Sequence, residues 1–267
     1  MTAPDVEEIS VPLNERWRIN WREFPYWFVA IIGILVWMLV LIVTNPQYTE
    51  AWDAIIPGLT TTISATALSF GLALVLGLLA GLGRISRNVV ARNVAITYIE
   101  FIRGVPILVL LFTTAYVIVP QLSNLFGFEN SAISFFPRAV FALALIYGAY
   151  LAEVFRAGIE SVPKGQTEAG RALGLSQRQT MWRIVLPQAV RNMTPALGND
   201  LIAMLKDSSL LSVLSIREIT QEARLYASAT FEFRPTYLVL TFLYLSMTLV
   251  LSLLLRWYRH RLGLQDA

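Results

Sequence analysis

The stretch from Ala157 to Met193 reads AGIESVPKGQTEAGRALGLSQRQTMWRIVLPQAVRNM and separates two apolar runs. Its punctuation predicts two short helices. Pro163 opens the first, Glu168 to Leu173 is rich in helix formers, and Gly174 stands where a left-handed cap ends it. Ser176 followed by Gln179 makes a capping box for the second, which carries Met181, Trp182, Ile184 and Val185 until Pro187 stops the regular pattern. At 1.5 Å per residue, Ser176 to Leu186 forms a peg about 16 Å long. Arg178 and Arg183 give it a polar side, while Met181 and Trp182 are presented for contact. Such a peg suits a groove in a partner protein, but it suits the surface of a bilayer equally, and amphipathicity alone does not choose.

What surrounds this loop is strongly apolar. Of the 267 residues, 56% are hydrophobic and 15% charged, and the mean hydropathy is +0.59. One soluble core cannot hide that much apolar surface, so the chain reads as an all-α polytopic membrane protein. Cysteine is absent and His260 is the single histidine, which removes thiolate clusters, Cys/His zinc sites and His-based nucleophilic triads. No catalytic residue and no metal site are expected. Lys164 is followed by Gly165 and Lys206 by Asp207, so no phosphate loop ending in Gly-Lys-Ser/Thr exists and any nucleotide must bind another chain. The net charge of +3 fits basic residues placed beside a bilayer rather than a nucleic-acid partner.

A hydrocarbon layer about 30 Å thick takes roughly 20 helical residues to cross. Six runs meet that length approximately: Trp27 to Val43, Pro57 to Leu82, Val105 to Pro120, Ala139 to Phe155, Thr194 to Leu214 and Tyr237 to Leu255. The fifth is interrupted by Asp200, Lys206 and Asp207. With the N-terminus inside, sixteen of the 21 Lys and Arg fall on the inner side and four, Arg138, Arg217, Arg224 and Arg234, on the outer. That asymmetry predicts two cytoplasmic termini. The acidic residues before the first run argue against a cleaved signal. Trp17, Trp21, Tyr26 and Trp27, interleaved with Arg16, Arg18 and Arg22, suit an interfacial lead-in, though a disordered tail has a similar composition. Within the second run, Ala73, Gly77 and Gly81 recur every four residues and predict a close helix contact. No internal repeat stands out, which disfavours inverted-repeat secondary transporters.

The spacing Glu168-Ala169-Gly170, three residues, Gly174, nine residues, Ile184-Val185-Leu186-Pro187 resembles the EAA motif of bacterial ABC importer permeases. That family's pattern is Glu-Ala-Ala, three residues, Gly, nine residues, Ile-x-Leu-Pro. Gly170 departs from the usual Ala. The stretches Tyr98–Pro106 (YIEFIRGVP), Gly148–Gly158 (GAYLAEVFRAG) and Leu205–Val213 (LKDSSLLSV) are similar to the polar amino acid branch, whose members serve histidine, arginine, glutamine or glutamate. The resemblance runs from about Pro57 to Leu262. It implies a type I importer core of five helices at 57–257, with the loop at 157–193. Added to that core are an interfacial segment at 1–26, an N-terminal helix and external loop at 27–56, and a tail at 258–267. It also implies two ABC ATPase subunits that hold ATP and Mg2+, a second permease copy or paralogue, and an extracytoplasmic amino acid-binding protein. No cofactor is expected on this chain.

By the same resemblance the peg is the coupling helix, and Glu168, Ala169, Gly170, Gly174, Arg178, Met181 and Trp182 are the residues expected to meet the ATPase. The fifth run carries the candidate substrate path. A charge at bilayer depth costs several kcal/mol and usually faces a cavity or another charge. Adjacent helical residues point about 100° apart, so Lys206 and Asp207 lie on different stripes, with Asn199 below Lys206 and Asp200 below Asp207. Together with Ser208, these separated charges could receive the carboxylate and ammonium of an amino acid; interhelical pairing or a helix break is the alternative. Glu153 with Arg156, and Glu100 with Arg103, could gate the inner exit or join helix ends as a structural network. Residues 217–233 suit an external helix that meets a binding protein or covers its neighbours. The competing function is a stand-alone secondary transporter or channel with a regulatory loop; a membrane-embedded enzyme has less in its favour.

Overall fold

The computed structural model describes residues 26–127 and 134–261, and every regular element within them is helical. Arg16, Arg18, Arg22, Trp17 and Trp21 of the expected interfacial segment, and the last six residues of the tail, lie outside the described residues. α1 (Tyr26–Thr44) is apolar throughout. Asn45 then caps α2 (Pro46–Ile55), its side chain accepting from the Gln47 amide at 3.2 Å with Pro46 at the first helical position. A 3₁₀ turn (Ile56–Gly58) joins α2 to α3 (Leu59–Arg84), so the connection expected as a loop is itself helical. Asn88 caps α4 (Val89–Gly104) by accepting from the amides of Val90 and Ala91. This helix was not expected. It has 16 residues and carries Arg92, Glu100 and Arg103, so a search for uniformly apolar runs passes over it.

After Pro106, α5 (Ile107–Thr113) runs through a π turn (Thr114–Ile118) into α6 (Val119–Leu125). α7 (Phe135–Glu160) leads to the loop helices α8 (Lys164–Ala172) and α9 (Gln177–Thr180). A second π turn (Met181–Val185) carries α9 into α10 (Leu186–Asp207), followed by a 3₁₀ segment (Ser208–Leu214), α11 (Ile219–Thr230) and α12 (Phe233–Arg261). Both π turns lie just before a proline, Pro120 or Pro187. Proline lacks an N–H and its ring collides with the carbonyl four residues back, and a widened turn relieves both problems. Pro187 therefore does not end the helix, contrary to the sequence reading: the Leu186 amide bonds five residues back to the Met181 carbonyl and the helix continues.

Five helical stretches among the described residues are long and apolar enough to cross a bilayer: Tyr26–Thr44, Pro46–Arg84, Ile107–Leu125, Phe135–Glu160 and Phe233–Arg261. They overlap five of the six expected spans, the third of which begins at Ile107, after Pro106, rather than at Val105. The remaining one, Thr194–Leu214, falls on α10 and the 3₁₀ segment, where Asp200, Lys206 and Asp207 lower the hydropathy.

α7 is the centre of the bundle, with Ala139, Leu143, Ile146, Ala149, Leu151 and Ala152 fully buried. α3 lies along it through Ala65, Ser69, Ala73, Gly77 and Gly81, one buried residue per turn. The stripe read from Ala73, Gly77 and Gly81 is this interface. A Cβ on Gly77 would fall 2.7 Å from the Leu151 Cβ and 3.0 Å from the Gly148 carbonyl oxygen, so the backbones touch. From the other side, the Tyr98 hydroxyl of α4 donates to the Leu145 carbonyl at 2.6 Å over Gly148. α10 closes on α7 where Gly158 meets Met193.

A second knot ties α11 to α3 and α12. Glu218, fully buried, caps α11 by accepting from the amides of Thr220 and Gln221 at 2.9 and 2.8 Å and from the Tyr244 hydroxyl at 3.1 Å. The Ile219 amide donates to Thr62 Oγ1, and Gly58 leaves no room for a side chain against the Glu218 carbonyl carbon. Burial pushes the Glu218 carboxyl up to about 7, although its three donors act in the opposite direction.

Two outcomes follow from this packing. Gly77→Ala forces α3 and α7 apart and is expected to cost about 1–3 kcal/mol, while Gly71→Ala, with nothing within 4 Å, is near neutral. Thermal unfolding in detergent checks this, and equal melting temperatures for the two variants would count against the interface. For Glu218 the folded pKa lies above the ordinary 4.5, so the folded state holds a proton the unfolded state has lost. Its stabilisation is complete below pH 4.5 and is lost as pH rises to about 7, by at most about 1.4 kcal/mol per unit. Glu218→Gln is expected to flatten that part of the stability profile.

Candidate functional site

The loop between α7 and α10 is held in shape by its own backbone. Gly174 has φ of +80°, and the Gly174 and Leu175 amides return to the carbonyls of Arg171 and Gly170 at 2.9 and 3.1 Å, a left-handed helix end. Ser176 Oγ accepts from the Gln179 amide at 3.3 Å while the Ser176 amide donates to Gln179 Oε1 at 2.9 Å, completing the capping box. α8 folds against the second helix at Gly170. A Cβ there would lie 2.8 Å from Ile184 Cδ1 and 2.9 Å from Thr180 Cγ2, so glycine is the residue that lets the two loop helices meet this closely. Glu168, Ala169, Gly174, Arg178 and Trp182 are exposed, Met181 is half-buried, and Gly170 is buried. Leu173 and Trp182 are large apolar side chains left 81% and 63% exposed on the loop helices.

The helix that leaves this loop holds the second group of candidates. Asp207 points to α7, where its Oδ2 accepts from the Tyr147 hydroxyl at 2.8 Å, and the Tyr147 ring packs edge-on to Tyr150. Lys206, one residue earlier and on another face, is exposed and has no ion-pair partner among the described residues. Asn199 is exposed. Ser208 is buried, with its hydroxyl donating to the Leu205 carbonyl at 2.7 Å. Two opposite charges are thus displayed in different directions, the negative one anchored by a tyrosine. Tyr147 was not singled out in the sequence, where an aromatic residue in an apolar run carries no mark of its partner.

Glu100, Glu153 and Arg156 belong to one ion network at the loop end of the bundle. Glu153 binds Arg84 through Oε1 and Arg156 through Oε2, the latter at 2.9 Å; Arg156 also pairs with Glu160, and Arg84 lies 3.6 Å from Glu100. Arg103 is exposed and outside this network. Arg84 and Glu160 are additions. The four-residue spacing of Arg156 and Glu160 was readable, whereas the meeting of Arg84 with Glu153 depends on α3 lying against α7. No group of three or more His, Cys, Asp or Glu suited to a metal occurs among the described residues.

The same arrangement of helices is found in known transport proteins. A solved amino acid ABC transporter with histidines superposes with a TM-score of 0.70 at 35% identity, covering 84% of this chain and 98% of that one. The glutamine transport system permease protein GlnP of Escherichia coli (strain K12) is 36% identical over 219 residues, 81% of this chain and 97% of the relative. The L-cystine transport system permease protein TcyB of Bacillus subtilis (strain 168) is 36% identical over 212 residues, 79% and 87% respectively. The family model for the binding-protein-dependent transport system inner membrane component matches residues 73–264, which takes in α7, the loop helices, α10 and all of α12. With that match over most of its length, the chain belongs to the family of binding-protein-dependent transport system inner membrane components.

Proposed function

We propose that this chain is the permease subunit of an ATP-driven, binding-protein-dependent importer of polar amino acids, and that it couples ATP hydrolysis in a partner ATPase to alternating access. The observation that carries the proposal is the capped loop at 164–185, whose exposed Trp182 stands on a helical path that runs without a break to Lys206 and Asp207. Its relatives are amino acid permeases, which supports the substrate class. In this reading two ATPase subunits, holding ATP and Mg2+, seat the loop; a second permease copy or paralogue completes the pore; and an external binding protein delivers the amino acid. Both termini face the cytoplasm. α10 with its 3₁₀ extension makes the sixth crossing, its polar face turned to the pore, so that α1 precedes a core of five crossings.

Mechanically, the second loop helix does not stop at Pro187. A push on Trp182 or Arg178 is carried along the helical axis through the π turn into α10, toward Lys206 and Asp207. The wide turn is the place where the helix can change its winding without losing its continuity. Arg84 on α3 and Glu153 on α7 pin these two helices together at the loop end, with Arg156 holding Glu153 from one turn along α7, so that α3 and α7 move as one body. In the pore, Lys206 receives the substrate carboxylate and Asp207, turned from Tyr147, its ammonium.

Gly174→Asp forces an unsuited residue into a left-handed cap and is expected to abolish substrate-stimulated ATP turnover in the assembled complex while leaving insertion intact. Unchanged turnover would contradict the coupling role. Lys206→Gln and Asp207→Asn are each expected to reduce amino acid uptake into proteoliposomes by about 10–100-fold, the value of one charged hydrogen bond. Uptake at the unmodified rate by both would remove them from the path, and uptake driven by this chain without any ATPase would overturn the function as a whole.

A further inference from the structure

α1 meets α12 along a cleft of about 330 Å³. Phe28 and Ile31 form its wall on α1, and Leu245, Leu249 and Leu253 form its wall on α12. Trp27 and Arg256 stand together at the end toward the loop helices. The hydroxyls in the cleft are already used: Ser252 donates to the Thr248 carbonyl and Thr248 to the Tyr244 carbonyl. Arg256 is exposed and has no hydrogen-bond or ion-pair partner among the described residues. α1 cannot supply one, because Tyr26–Thr44 contains no charged residue.

The dimensions limit what can lie there. From Leu245 to Arg256 is eleven residues, or about 16 Å, close to half of a hydrocarbon layer about 30 Å thick. A cleft of about 330 Å³ spread over that length is too small to take in a helix about 10 Å across. An extended peptide would leave its amides and carbonyls without partners in an apolar cleft. An acyl chain has neither problem. An arginine with no partner among the described residues at one end, with a tryptophan beside it at the depth of the headgroups, complements a ligand that is apolar along its length and negative at one tip.

We propose that the cleft between α1 and α12 binds one anionic phospholipid, with its phosphate on Arg256 and one acyl chain between Phe28, Ile31 and the leucines of α12. The site requires that the chain spans a membrane but does not depend on its being an importer. It gives the helix that precedes the five-helix core a physical role, since α1 provides half of the lipid site.

Native mass spectrometry of the full chain, purified in detergent with its co-purifying subunits and mixed with phosphatidylglycerol or phosphatidylcholine, tests the assignment. The unmodified protein is expected to retain phosphatidylglycerol in preference to phosphatidylcholine. Arg256→Gln lowers that retention about fivefold, near the value of one basic residue at a membrane surface, and Arg256→Lys largely restores it. Arg224→Gln, an exposed arginine on α11, leaves it unchanged. Equal retention of the two lipids by the unmodified protein overturns the proposal, whether or not the variants fold, and so does full phosphatidylglycerol retention by Arg256→Gln. No ATP or amino acid enters the measurement, so a failure of the transport reading leaves the result intact.

Discussion

Between hydrocarbon tails and an apolar helix there is little hydrophobic gain in bringing two helices together, so association depends on how closely their backbones approach. In this protein α3 and α7 touch backbone to backbone, where Ala65, Ser69, Ala73, Gly77 and Gly81 present one small residue per turn along α7. The rest of the bundle is placed from that contact. α4 reaches over it with Tyr98, α10 closes on α7 at Gly158, and Arg84 at the end of α3 is delivered to Glu153. Larger residues at the stripe would separate the pair and displace every one of these partners.

A second constraint concerns proline within helices that have to remain continuous. Before Pro120 and before Pro187 the chain adopts a π turn, and neither helix breaks. In the first case the buried Arg138 donates to the Ala115 carbonyl inside the widened turn. In the second the result is a single helical path from Ser176, outside the bundle, to Asp207 within it. A broken helix would move its tip independently of its far end. Continuity is what makes a loop of this size useful as a lever in the proposed importer.

Much of the loop was legible because its signals are local. A positive φ at Gly174 and a Ser-x-x-Gln box require only the neighbouring backbone, so spacing in the sequence specified both. The apolar spans were legible for a similar reason, since the length of a membrane crossing sets a count of residues. α4 was not legible by that count: it is short, carries three charged residues, and packs across α3 and α7. The effect of Pro187 was misjudged because proline's cost was assessed for a regular α-helix, whereas a π turn removes the clash. Gly170, read as a tolerable departure from alanine, turns out to be where Ile184 and Thr180 press against α8.

The sequence by itself determined that the chain is helical and rich in apolar spans, and that a capped two-helix loop interrupts them. Each of these depends on composition or on residues within about one helical turn of one another. Which charges meet was decided by tertiary structure alone: Asp207 with Tyr147, Arg84 with Glu153, Glu218 with Tyr244, and Lys206 with no ion-pair partner among the described residues. These pairings join residues far apart in the chain, and each exists only because two helices distant in sequence are packed at a fixed depth and rotation, α3 against α7 for Arg84 and Glu153, α10 against α7 for Asp207 and Tyr147, and α11 against α12 for Glu218 and Tyr244.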